Sequence, residues 1–437
     1  MNHKTILRSS TILFAAAAMT LAAWSARAED VAKPAAEATA AAPTPPPPGY
    51  FIDGIRFGAQ IEAGFYGNGA SPSSGQNFGQ SFTDRSNSLL MNQILLTVEK
   101  ALDKEATGYD FGFRLQAMYG TDARYTHFLH EFDKVTNQRQ QFDLVTAAAL
   151  VHTPWLTEGG IDWTIGQYAT PLGFETIDPS TNTFYSKSYI FNFGLPFKHT
   201  GFLSVTHVAP VLDVYVGGDT GNQTSFGAGD NNSVYAGILG LGSTLMNGNL
   251  TLLALSHFGP ENPTRTVPGA NGYYRYYNDF IATYKWTDKL TTTTELNWIR
   301  DNCGFCNVAG SGNSGADAYG GAQYITYAVT DTLAVSGRGE IWRDQNNFFV
   351  ASFSNSLGPV QALGGRPPAT ALFASKGTTY GAITLGLTYK PEVPAAITTL
   401  LIRPEIRYDN ALTGGRPFND GKDNGAFFFG ADVVLGF

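Results

Sequence analysis

The chain has 437 residues, of which 43% are hydrophobic, 13% aromatic and only 15% charged, with a net charge of −8. So many aromatics exclude a wholly disordered chain, which has no core or surface to place them in. The acidic balance gives no support for nucleic-acid binding, which wants a basic face, and two cysteines are too few for a disulfide scaffold.

Residues 1–28 read as a secretory signal peptide. Lys4 and Arg8 precede an apolar run from Ile12 to Trp24, and Ala26-Arg27-Ala28 has the small-x-small form of a cleavage site. That run is shorter than the ~20 apolar residues a membrane-spanning helix needs, and no later segment supplies them. Residues 29–49 are Ala-, Pro- and Thr-rich and end in Pro45-Pro46-Pro47-Pro48-Gly49, the composition of an extended periplasmic spacer.

From Tyr50 onward the period is two. Ile55, Phe57, Ala59, Ile61, Ala63 and Phe65 alternate with Arg56, Gly58, Gln60, Glu62, Gly64 and Tyr66. Successive strand side chains point to opposite faces, so each such run has an oily and a wet side. Strands are predicted over 54–66, 89–101, 108–120, 141–152, 160–170, 199–208, 211–217 and 232–245. Eight more follow over 249–258, 273–286, 289–300, 317–329, 332–344, 378–390, 398–409 and 425–437.

Every second connection is short, as at Ala209-Pro210, Thr287-Asp288 and Thr330-Asp331. The others are long and rich in Gly, Ser and Asn: 67–88, 121–140, 171–198, 218–231, 259–272, 301–316, 345–377 and 410–424. Short turns on one rim and long loops on the other define a sixteen-stranded antiparallel transmembrane β-barrel, with periplasmic turns and external loops. A β-sandwich also alternates, so the direction of the oily face decides. A sixteen-stranded barrel is too wide for side chains to fill, which calls for a polar interior. The wet row Arg403, Glu405 and Arg407 suits that interior. Tyr276 and Tyr284 bracket Phe280 at roughly 19 Å, near the height of a lipid belt. The last run, Phe427, Phe429, Ala431, Val433, Leu435 and Phe437, alternates to the final residue. Unpaired, it would be an aggregation-prone edge, and closure on the first strand removes that edge.

Two stretches resemble the β-barrel porin family of the porin-2 type. One is Gly166-Gln167-Tyr168-Ala169-Thr170-Pro171-Leu172-Gly173-Phe174-Glu175, with His199-Thr200-Gly201 after it; the other is Ile402-Arg403-Pro404-Glu405-Ile406-Arg407-Tyr408-Asp409. The resemblance implies an outer-membrane channel over 50–437. By likeness to sixteen-stranded porins, the third long loop, 171–198, is a candidate constriction carrying Glu175 and Asp178; the alternative is a loop packed on the barrel rim or a partner subunit. The terminal aromatic Phe437 resembles the signal read by the barrel-assembly machinery.

Arg56, Arg114, Arg338, Arg403 and Arg407 fall on wet rows and are candidate pore-lining residues, forming a basic wall opposite the acidic loop. Glu340 and Glu405 share those rows, so mutual neutralisation in salt bridges is the competing reading. Cys303-Gly304-Phe305-Cys306 lacks the strand-helix setting of a redox motif and the further ligands of a zinc site, and reads as a loop disulfide in an oxidising compartment. His127 and His130 lie in a loop whose spacing sets no ligand geometry. With no nucleophile elbow or phosphate loop, the expectation is no enzyme, no cofactor and no metal. The function expected is passive diffusion of small hydrophilic solutes or ions across the bacterial outer membrane. The alternative is a plugged structural or adhesive barrel that binds partners through its loops. Membrane lipid, lipopolysaccharide and a second and third copy in a homotrimer are the expected neighbours, and nucleic acid is not.

Overall fold

The computed structural model describes residues 50–52, 54–103, 105–132, 139–304, 315–350 and 377–437. The signal peptide and spacer expected over 1–28 and 29–49 lie outside them. The strands in chain order are β1 (Tyr50–Ile52), β2 (Ile55–Asn68), β3 (Ser88–Lys100), β4 (Asp110–Gly120), β5 (Gln141–Thr153) and β6 (Ile161–Ala169). Then come β7 (Lys198–Ala209), β8 (Leu212–Asp219), β9 (Ala236–Leu245), β10 (Leu250–Pro260), β11 (Tyr274–Lys285) and β12 (Leu290–Asp301). The last five are β13 (Ala316–Ala328), β14 (Leu333–Asp344), β15 (Thr378–Tyr389), β16 (Thr399–Thr413) and β17 (Gly425–Gly436).

From β2 to β17 each strand pairs antiparallel with the next, and β17 returns to β2 from Gly436↔Gln60 to Phe428↔Asn68. Sixteen strands thus close without an edge. The terminal residue joins the seam, since the Phe437 amide donates to the Ala59 carbonyl at 2.8 Å. Gly430 makes the seam possible: a Cβ there would lie 2.5 Å from the Tyr66 ring and 2.7 Å from the Phe65 carbonyl. The three-residue β1 folds back on the start of β2 and was not anticipated from the sequence.

The short turns are built by local side-chain hydrogen bonds. Thr287 Oγ1 accepts from the amides of Lys289 (3.2 Å) and Leu290 (3.0 Å) between β11 and β12, the hydroxyl-capped turn that threonine favours. The same chemistry shortens one predicted strand. Asp230 Oδ1 accepts from the amides of Asn232 and Ser233, and Asn232 Oδ1 from that of Val234. These turns hold 230–234 out of the ladder, so β9 begins at Ala236 and not at 232.

Burial is inverted relative to a water-soluble sandwich. Ile383 is 63% exposed and Leu239, Ile325, Leu385, Ile406 and Phe427 are all exposed, whereas Arg338, Arg403 and Arg407 are 1% exposed. Contiguous apolar surface of this extent needs an apolar partner, and lipid surrounding the barrel supplies it. Among the described residues no helix is long and apolar enough to cross a membrane.

The outward row generates a depth-dependent expectation. Ile383→Lys places an ammonium midway along β15 on the lipid face and should cost about 2–4 kcal/mol. Thr164→Lys, on the half-exposed inner row of β6, should be close to neutral. Unfolding by denaturant from lipid vesicles measures both.

Candidate functional site

Loop 171–198 lies inside the barrel, and its shape is set locally. Gly173 has φ of 95° and a Cβ there would sit 2.2 Å from Leu195 Cδ1, which requires glycine. Asp178 caps the 3-10 turn Pro179–Thr181 by accepting from the Ser180 amide at 2.9 Å. Asn182 clamps the preceding strand of loop through the Thr176 amide and carbonyl, both at 2.8 Å. A π-helical turn, Ile190–Gly194, follows.

Such a segment has few internal partners for its backbone, and the barrel wall provides them. Wall carboxylates accept from loop amides. Asp279 on β11 takes Gly173 (3.1 Å), Glu295 on β12 takes Phe174 (2.9 Å), Glu405 on β16 takes Tyr185 (2.9 Å), and Glu340 on β14 takes Tyr189 (2.7 Å). Wall cations donate to loop carbonyls. Arg403 reaches Pro179 (2.7 Å) and Asn182 (2.6 Å), Arg338 reaches Ser186 (2.8 Å), and Arg407 reaches Lys187 (3.0 Å). Continuing round the wall past β17, Gln60 of β2 donates to Asp178 Oδ1 at 2.9 Å and Gln93 of β3 to the Ile177 carbonyl at 3.1 Å.

The same arginines are paired with acids. Arg338 meets Glu175 (2.6 Å) and Glu340 (2.8 Å), Arg407 meets Glu340 (3.1 Å) and Asp409 (2.7 Å), and Arg403 pairs with Asp432 and with Glu62 (3.3 Å). Arg56 (2.7 Å) and Arg114 (2.5 Å) share Glu99. This corrects the expectation of a basic wall facing an acidic loop. The arginines are on the inner face, but Arg338, Arg403 and Arg407 are buried beneath the loop and neutralised, Glu175 is consumed by Arg338 and the Ser188 amide, and only Arg114 of the five is well exposed. The salt-bridge alternative describes the geometry.

Neighbouring loops reinforce the arrangement. Phe82 packs on Tyr125, Phe191 and Phe197 with ring centroids 5.2–5.8 Å apart. Asp84 holds Arg124 and Arg139 in paired hydrogen bonds of 3.0–3.3 Å. Burial alone would raise the Asp84 carboxyl, but these two guanidinium groups overcome it and hold the carboxyl below its ordinary value. A bulge opposite Glu62 and Ala63 turns both Asn92 and Gln93 inward, where their amides donate to Asp122 at 2.9 and 3.1 Å. Strict alternation hides such a bulge.

Cys303 is disulfide-bonded, and Cys306, the other cysteine of the sequence, lies outside the described residues. His127 is buried with Nδ1 2.9 Å from the Ala123 carbonyl. Four histidines that look scattered in sequence are brought together in pairs. His152 and His207 share Asp162 near the short-turn rim, and His199 and His257 share Asp219 near the long-loop rim. Each pair joins strands that are not consecutive, so no local spacing signals it.

A closed sixteen-stranded barrel with an apolar outside and a polar, loop-lined inside defines an outer-membrane pore protein. The chain belongs to the family described as "Putative beta-barrel porin-2, OmpL-like", which matches residues 54–437; it is an outer-membrane porin, located in the bacterial outer membrane. The fold is similar to the anion-selective porin from Comamonas acidovorans, at 8% identity and TM-score 0.54 over 88% of this chain and 99% of that one. It is likewise similar to OmpF of Salmonella typhi in complex with daunomycin, at 9% identity and TM-score 0.53 over 89% and 99%. The trimer form of OmpT from Vibrio cholerae matches at 11% identity and TM-score 0.50 over 88% and 99%. No curated protein sequence matches this chain.

Two expectations follow from the site. Arg407→Met leaves Glu340 and Asp409 buried without their shared cation and should cost about 3–5 kcal/mol in denaturant unfolding, whereas Arg114→Met removes a half-exposed cation and leaves buried Glu99 still paired with Arg56, and should cost about 1 kcal/mol. The second concerns pH. Burial pushes the Asp122 carboxyl from 3.8 up to about 6, against the hydrogen bonds of Asn92 and Gln93 and the charges of Lys187 and Arg124. The fold therefore favours the protonated acid, a stabilisation fully present below the unfolded value and lost as pH rises through about 6. The thermal midpoint of the native protein, measured against that of Asp122→Asn, should fall across that interval; a pH-independent difference would contradict it.

Proposed function

We propose that the barrel conducts small hydrophilic solutes and ions by passive diffusion, with loop 171–198 setting its narrowest section. The observation that carries this is the one-sided anchoring of the loop. The hydrogen bonds of its central part, residues 173–194, to the barrel strands run to β2, β3, β11, β12, β14 and β16, with Lys198 at its end reaching Asp143 of β5, while the inner rows of β4 to β10 retain partly exposed Gln116, Thr164, Val205, Tyr215 and Leu253. Solutes pass through the crescent between the loop and these strands. On this reading Arg56 and Arg114 line the pathway, and Arg338, Glu340, Arg403, Glu405 and Arg407 act from beneath the loop by holding it in place. Glu175 and Asp178 likewise shape the constriction without facing the stream.

Export by the cleavable leader 1–28, insertion through the terminal Phe437 and contact with lipopolysaccharide complete the proposal. A homotrimer is supported by the trimeric form in which the Vibrio cholerae relative was solved. Diffusion through such a pore calls for no catalytic group and no energy coupling.

Single-channel recording of the refolded mature protein in a planar bilayer tests the reading. Ohmic openings are expected, Arg114→Glu should shift the reversal potential towards cation preference, and deletion of 176–186 should raise conductance severalfold. A folded barrel that passes no current would sink the proposal. Conductance unchanged by the deletion would remove the loop from the constriction.

A further inference from the structure

His199 on β7, Asp219 at the end of β8 and His257 on β10 meet on the inner face near the long-loop rim, each 0–1% exposed. His199 Nδ1 is 3.3 Å from Asp219 Oδ2, His257 Nε2 is 3.1 Å from Asp219 Oδ1, and the two imidazole centroids are 4.7 Å apart. One donor atom from each residue lies within 4.8 Å of the others. We infer that these three side chains form a binding site for a divalent transition-metal ion of the zinc, nickel or copper type, which nothing in the sequence pattern announces and which is independent of what the lumen conducts.

Two features favour an ion over a purely structural hydrogen-bond relay. The first is that His199 Nδ1 and Asp219 Oδ2 face each other in the interior at 3.3 Å in ion-pair contact but outside good hydrogen-bond geometry. A buried polar atom left unpaired is costly, and a cation between the two satisfies both at once. The second lies in the outer ring of contacts. His199 Nε2 is 3.1 Å from Thr170 Oγ1, and His257 Nδ1 is 3.7 Å from Glu261 Oε1. His199 therefore has a hydrogen-bonding oxygen on the nitrogen that points away from the site, the arrangement that fixes the tautomer of a metal-bound histidine, and His257 has a carboxylate within ion-pair distance of its own outer nitrogen. Glu261 is itself oriented by the Asn222 amide at 2.9 Å, and Asp219 by the Gly221 amide at 2.7 Å.

Two imidazoles and one carboxylate suit a borderline divalent ion rather than calcium or magnesium, which prefer all-oxygen shells. Ligand atoms sharing one ion at ~2.0–2.1 Å are about 3.3 Å apart in a tetrahedron, so binding draws the two rings together slightly and leaves a fourth position for water. The bound ion would brace three strands that are not all neighbours, since β9 stands between β8 and β10. Stabilisation should then rise with free-metal concentration.

Because the site is enclosed, the tag-free mature chain is refolded with Zn²⁺ or Cu²⁺ and then desalted. The expected result is one ion per chain, a raised thermal midpoint, and pulsed EPR of the Cu²⁺ form showing two coordinated imidazoles. His199→Asn with His257→Asn should abolish binding, and His152→Asn with His207→Asn should leave it intact. Substoichiometric metal in the native chain, a signal without two imidazoles, binding that survives the first pair of substitutions, or binding lost with the second pair would each overturn the assignment. Should the first pair prevent refolding, the imidazole count in the native chain and in the His152, His207 control decides.

Discussion

A polypeptide loop that enters a barrel must find a hydrogen-bond partner for every backbone group it takes out of water, and in this protein the barrel wall answers that requirement. Loop 171–198 has only one 3-10 turn and one π-helical turn of its own, too little regular structure to satisfy itself. The acids of β11, β12, β14 and β16 accept its amides, and the arginines of β14 and β16 donate to its carbonyls. On β14 and β16 both signs serve the loop, the acids taking its amides and the arginines its carbonyls. The charge rows are therefore a docking surface for main chain, and their mutual pairing follows from bringing both signs into one enclosed space.

Aromatic packing adds what hydrogen bonds lack. Phe184 lies under the Arg338 guanidinium at 5.0 Å and Tyr189 under that of Arg407 at 5.5 Å, so each buried cation has a ring face as well as carboxylates. Tyr189 also stacks on Tyr380 of β15, and Tyr185 meets Tyr66 of β2 edge-on. Gly64 stands beneath the Tyr185 ring, where a Cβ would be 2.5 Å away. The loop is thus keyed to the same stretch of wall by ring packing and by charge together.

How much of this was legible in sequence depended on the range of the signal. Alternation with period two is local, so all sixteen barrel strands and the division into short turns and long loops could be read from it, and the face of Arg403, Glu405 and Arg407 followed from parity. Partner choice is not local. Arg403 faces Asp432 because β16 and β17 register there, while Arg338 finds Glu175 from 163 residues away; a row of arginines looks like a basic wall until those partners are placed. Bulges break the parity rule itself, as at Asn92 and Gln93. Histidines 58 residues apart, such as His199 and His257, become neighbours only when the barrel curves.

Neutralisation beneath the loop has a consequence for permeation. A wall of unpaired arginines would create a field across the whole lumen, but a cation whose acid lies within hydrogen-bond distance contributes mainly a dipole, whose influence falls off faster than that of a charge and is further screened within about 8–10 Å by salt. Charges that can act on a passing ion are those that keep part of their surface in the water of the crescent. Arg114, with 47% of its side chain exposed, meets that condition, whereas Arg338 and Arg407, at 0%, do not. On the proposed diffusion path, burial would set the division of labour: enclosed charges hold the loop against the wall, and a charge as exposed as Arg114 would act on what enters.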